Sequence, residues 1–141
     1  MNGQVGSVYK QTPPLVNAMR RPGEWNVFDI IYSAPVFKKD GTYRVPPYVT
    51  VILNGVVLQN HTAILGTTEY IGFPRVVPHG AGPLRLQAHG DPSAPISFRT
   101  LWIRDAQLLP PADPDVAETE SRTWLAVGTH AHRPRPLWHF H

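Results

Sequence analysis

The chain has 141 residues, 42% of them hydrophobic and 16% charged, with a formal net charge of +3. That is enough for one modest folded domain, and sixteen Pro with eleven Gly argue against a helical one. The basic residues are scattered rather than interleaved with aromatics, so nucleic-acid binding has little support, and the lack of cysteine excludes disulfides and thiolate chemistry.

Taken in order, Val5 to Tyr9 predicts a short strand. QTPPLVNAMRRPG then predicts an extended, poorly paired loop, because the proline pair fixes φ and removes two donors. GEWNVFDIIYSAP, bounded by Gly23 and Pro35, is the longest strand candidate. Trp25, Val27, Asp29, Ile31 and Ser33 would share one face, with Glu24, Asn26, Phe28, Ile30 and Tyr32 on the other. Both faces mix apolar and polar residues, as in a central strand. Lys38-Lys39-Asp40-Gly41 predicts a turn.

The stretch that organises the chain is YVTVILNGVVLQNH, Tyr48 to His61. Its two apolar runs flank Asn54-Gly55, a strong hairpin signal, since a type I′ turn needs positive φ at both central positions. Folding about that turn pairs Leu53 with Val56, Val51 with Leu58 and Val49 with Asn60 on an apolar face. The other face pairs Ile52 with Val57, Thr50 with Gln59 and Tyr48 with His61. Tyr48, Gln59 and His61 thus gather at the open end. An ordinary sheet with one wet side would show the same asymmetry.

Thr62 to Gly82 predicts a long loop over one end of the sheet, the kind of connection that carries binding residues. Leu84 to His89 alternates, with Leu84, Leu86 and Ala88 inward and Arg85, Gln87 and His89 outward. Ile96 to Arg104 predicts the last strand, with Phe98 and Trp102 on one face and Arg99, Leu101 and Ile103 on the other. Residues 107–141 keep no period and predict a tail without regular structure. Four of the seven histidines fall there, His130, His132, His139 and His141, without the scaffold that a metal site needs. The result is an all-β antiparallel domain over residues 1–106, followed by that tail.

Three blocks carry a resemblance: GSVYKQTPPLVNAMRRPGEWNVFDIIYSAPVF, the hairpin ending NGVVLQNH, and GPLRLQAHGDPSAPISFRTLWIRD. In order, spacing and identity they resemble the second half of the bacterial 3-keto-disaccharide hydrolase domain family, DUF1080, over about residues 3 to 106. The resemblance implies a concanavalin-like jelly roll, an antiparallel β-sandwich with a carbohydrate groove across its concave sheet. It also implies cleavage of glycosides whose sugar carries a 3-ketone, by removal of the proton at carbon 2 and elimination. Family members are typically exported, yet MNGQVGSVYK lacks the regions of a signal peptide and no apolar run would span a membrane. The chain is therefore expected to be cytoplasmic or to begin inside a longer precursor. Family domains begin upstream with strands that complete both sheets. Those strands are missing here, so the sandwich is expected to be incomplete and the chain to self-associate through uncovered strands.

The candidate catalytic residues are His61 and His89, one as base and the other stabilising an enolate oxygen. Tyr48, Gln59, Asn60, Arg85 and Gln87 are the candidate substrate contacts. For each histidine the alternative is a surface or hydrogen-bonded structural residue. Glu24 and Asp29 fall on opposite faces of one strand and cannot form the carboxylate pair of an ordinary glycosidase. Trp25 and Trp102 could stack on a sugar ring or pack in the core. No metal or other cofactor is expected. Three functions stay open: a keto-glycoside hydrolase or lyase, a non-catalytic carbohydrate-binding module, and an inactive fragment.

Overall fold

In the computed structural model, residues 3–87, 96–105 and 124–132 are described. Among these there is no helix, and every strand pairing is antiparallel. The all-β class is as the sequence predicts. Five strands form the main sheet: β1 (Trp25–Ser33), β4 (Tyr48–Leu53), β5 (Val56–Ala63), β6 (Ser97–Asp105) and β7 (Trp124–His132), in the order β5-β4-β1-β7-β6. A two-stranded ribbon, β2 (Val36–Phe37) and β3 (Tyr43–Val45), turns through Asp40, whose carboxylate accepts from the Thr42 amide at 2.9 Å and hydroxyl at 2.7 Å.

The turn between β4 and β5 forms as predicted, with positive φ at Asn54 (53°) and Gly55 (83°). Asn54 does more than turn the chain. Its side-chain amide donates to Ala18 O at 2.7 Å and Asn26 Oδ1 at 2.9 Å, while its Oδ1 accepts from the Val27 amide. One side chain thereby ties the hairpin to β1 and to the N-terminal segment.

The core lies on one face of β4 and β5. Val49, Val51, Leu53 and Leu58 are buried, and Val8, Ala18, Phe28, Ile30 and Ile64 pack against them. Among the described residues, the cover is the irregular N-terminal segment, residues 3–20. Val5–Tyr9 does not form the predicted strand; one bridge, Val8 to Thr12, remains, because Gly6 (φ 82°) and Lys10 (φ 58°) interrupt any extended run. Gly6 sits so close to the core that a Cβ there would meet Leu58 Cδ1 at 2.3 Å. Only glycine fits.

Two further expectations change. The predicted tail without regular structure is revised over Trp124–His132, which pairs with both β1 and β6; its other residues lie outside those described. The predicted strand Leu84–His89 is not seen over 84–87, where Leu84 and Leu86 are exposed, and its last two residues are also outside.

Candidate functional site

The hairpin's register is regular for two pairs and then slips. Leu53 faces Val56 and Ile52 faces Val57, as predicted, but Val51 faces Gln59, Val49 faces Thr62 and Tyr48 faces Ala63. β5 thus carries two extra residues, one on each side of Gln59. A slip of one residue moves a side chain to the opposite face, and a second slip restores it. Gln59 lies between the two slips, and the expected placement beside Tyr48 is corrected: it is buried on the core face with Leu58. There its Nε2 donates to Gly6 O (3.0 Å), Pro13 O (3.0 Å) and, more weakly, Thr12 O (3.4 Å), while its Oε1 accepts from Thr62 Oγ1 at 2.9 Å. Its work is to hold the N-terminal segment on the sheet.

His61 lies beyond the second slip and returns to the open face. Its backbone has φ 46°, unusual for a residue with a Cβ, and its amide donates to Thr50 Oγ1 at 3.0 Å. The imidazole stacks on Tyr48, with ring centroids 4.2 Å apart and planes within 4°. Sequence reasoning brings these two rings together; what it misses is Thr50, whose hydroxyl fixes the bulge that aims the histidine.

The same face continues across β1, where Asp29 pairs with Ile52, Ile31 with Thr50 and Ser33 with Tyr48. At its far side the Arg99 guanidinium lies 3.9 Å from the Trp25 ring centroid, a cation–π contact. A register shift between Arg99 and Trp102, with Thr100 at φ 54°, puts Trp102 on this face beside Arg99 and leaves Phe98 on the core side. The predicted grouping of Phe98 with Trp102 is corrected by that bulge.

The remaining candidates are not gathered here. Asn60 is exposed, and Arg85 and Gln87 lie in an exposed segment that forms no strand among the described residues. His89 lies outside them. Another histidine, His79, packs edge-on against Phe37 at 5.5 Å, beside the small ribbon. Among the described residues no three His, Asp or Glu converge as metal ligands would, and no helix is long and apolar enough to cross a membrane.

Residues after the hairpin are anchored by Lys10 and Gln11. Lys10 Nζ donates to Tyr70 O and lies 4.9 Å from the Tyr70 ring centroid. Gln11 Nε2 donates to Gly66 O at 3.1 Å, and its Oε1 accepts from the Leu65 amide at 2.7 Å. Arg75 donates to Glu69 at 2.8 Å, and this holds the Glu69 carboxyl below its usual range. Lys10 and Gln11 therefore fix a loop whose tip, Ile71 to Phe73, stands in solvent.

The fold and this face define an antiparallel β-sheet protein with a histidine–tyrosine pair presented at the open end of a hairpin. The chain belongs to the family of the 3-keto-alpha-glucoside-1,2-lyase-like domain, whose family model matches residues 1–104. It is also similar to the crystal structure of "a putative glycosyl hydrolase" from Parabacteroides distasonis, with 51% identity and a TM-score of 0.64. That match covers 94% of this chain and 44% of the other, so this chain spans less than half the length of that protein. None of the curated proteins compared matches the chain.

Proposed function

We propose that this chain supplies part of the sugar-facing surface of a carbohydrate-active domain, and that the reaction served is elimination from a 3-keto-glycoside. The base removes the proton at carbon 2, which the neighbouring ketone acidifies. The electron pair enters an enolate, then forms the carbon 1–carbon 2 double bond as the glycosidic oxygen leaves carbon 1 and takes up a proton. Addition of water across that bond gives net hydrolysis.

The observation that carries the reading is the Tyr48–His61 stack on the open face. A histidine that accepts a proton becomes a cation, and a tyrosine face 4.2 Å away stabilises that cation as it forms. His61 and His89 are the candidate base and enolate partner, in an order still to be assigned. Tyr48, Asn60, Arg85 and Gln87 are the candidate sugar contacts. Gln59 would act only through the segment that it anchors. The runner-up is a binding module, favoured by the same face carrying aromatic surfaces at both ends of β1, the Tyr48–His61 stack at one and the Trp25–Arg99 pair at the other.

The test is turnover of a 3-keto-glycoside against its unoxidised parent. Catalysis predicts turnover of the ketone alone, and His61→Ala and His89→Ala should each lower it about a hundredfold to ten-thousandfold. A binding module would hold both sugars, convert neither, and lose about 1–2 kcal/mol of affinity per hydrogen bond removed. Turnover that survives in both variants would remove this site.

A further inference from the structure

The face that carries Tyr48 and His61 extends across β1 and β7 to the edge strand β6. Shared register partners on β7 show which residues of its two neighbours lie on one side. Val27 and Arg99 both pair with His130, Asp29 and Trp102 with Gly128, and Ile31 and Arg104 with Ala126. Arg99, Trp102 and Arg104 therefore share the face of Trp25 and Asp29 and, through the Ser33–Tyr48 pair, of His61. Trp102 is 46% exposed, and both arginines stand in solvent.

An exposed charge on an edge strand often serves only to ward off another strand. Arg99 does not have the geometry of such a guard. Its guanidinium reaches inward across β7 and lies 3.9 Å from the centroid of the Trp25 ring. A guanidinium held over an indole keeps its N–H donors at the rim, in a fork of fixed shape. Among the described residues neither Arg99 nor Arg104 has a carboxylate within ion-pairing distance; Arg75 and Glu69 pair elsewhere, on the loop after the hairpin. Asp29 shares the face, but it is four residues from Trp25 on β1, about 13 Å of strand. That exceeds the Debye length of about 8 Å at physiological salt, so its repulsion of an anion held at Trp25 is largely screened.

We propose that this end of the open face is a subsite for an acidic sugar, a hexuronate whose carboxylate takes two parallel hydrogen bonds from the Arg99 fork. Trp25 holds the guanidinium in place, Trp102 offers ring surface beside it, and Arg104 adds positive charge. Resting on the reading of this face as sugar-facing, the subsite adds a substrate class to it. Trp25 and Ser33 are eight residues apart on β1, about 27 Å. The acidic unit is thus a remote part of an oligosaccharide and not the sugar at His61.

Calorimetric titration of the full chain with hexameric oligogalacturonate, and with its carboxyl-reduced neutral counterpart, tests this. The acidic oligomer should bind at least about tenfold tighter, and Arg99→Gln should weaken it about tenfold to a hundredfold while leaving the neutral one unchanged. Arg99→Lys keeps the charge without the fork and should recover only part of the loss. Arg21→Gln removes the same charge beside the cleft on the core side and should change nothing. Circular dichroism would verify that each variant keeps its β-sheet. Equal affinity for the two oligomers, or acidic binding that ignores Arg99→Gln, overturns the proposal and leaves the sugar-facing reading standing. Binding of neither oligomer removes that reading with it. Dextran sulfate or a single-stranded oligonucleotide that binds as tightly as the oligouronate overturns it too, because the face would then be a general cationic surface.

Discussion

The two ends of the β4–β5 hairpin are built from similar residues and behave differently. At the turn, Leu53–Val56 and Ile52–Val57 keep an uninterrupted alternation. At the open end the chain inserts two residues, buries a glutamine and lifts a histidine onto the far face. The turn end shows what an unbroken period of two achieves, which is a sealed apolar face. The open end shows that one bulge turns a polar residue into an internal anchor, and that a second returns the following residue to solvent.

The largest break in that comparison should come where the first bulge meets the core. Leu58→Ala removes a fully buried side chain and should cost about 2–5 kcal/mol, seen as a lower denaturation midpoint at unchanged slope. An unchanged midpoint would mean that the N-terminal segment does not cover the hairpin in solution.

Gln59→Leu keeps the volume but strands the carbonyls of Gly6 and Pro13. It should cost about 1–3 kcal/mol and speed amide exchange in the N-terminal segment while the turn stays protected. Equal loosening of both ends would show that the glutamine is not a local anchor.

Gly55→Ala probes the turn end alone. Nothing lies within 4 Å of the added methyl, so only the φ of 83° opposes it, at about 1 kcal/mol.

Thr50→Val removes the hydroxyl that holds the His61 amide, at about 0.5–1.5 kcal/mol. The ring-current shift that Tyr48 imposes on the imidazole should shrink in the proton spectrum. A shift that stays unchanged would mean that the stack holds itself.

The smallest effect is electrostatic. The Glu69 carboxyl is held low by Arg75, so the folded loop is favoured above the ordinary glutamate pKa, and that preference fades as pH falls through the lowered one. Amide-exchange protection near Thr67, taken relative to the intrinsic rate at each pH, should fall over that acid range. The pair is exposed and the effect should weaken with added salt.

Much of the fold was legible because local chemistry decides it. Asn54-Gly55 and Asp40-Gly41 set their turns, and the apolar, β-branched run from Trp25 to Ser33 needs no tertiary context to read as a strand. The bulges were not legible. His61 and Thr100 take positive φ without being Gly or Asn, so nothing in their side chains announces it. Counting by twos therefore placed Gln59 and Trp102 on the wrong faces, yet placed His61 correctly because two slips cancel. β7 escaped notice because small residues, Ala126, Gly128 and Ala131, break its β-forming pattern; a partner on each side makes it a strand.

Asn54 carries a liability in chemical ageing. An Asn-Gly peptide closes readily to a succinimide and opens to aspartate or isoaspartate, because glycine offers its amide nitrogen little steric shielding. In most turns that adds one surface charge. Here the amide that would be lost is the donor to Ala18 O and Asn26 Oδ1, and the carboxylate replacing it would face two acceptors. One slow reaction at the tip of the hairpin would thus release the N-terminal segment from β1 and the turn together. The same engaged hydrogen bonds oppose the rotation that ring closure requires, so the native fold guards the bond whose failure would damage it most.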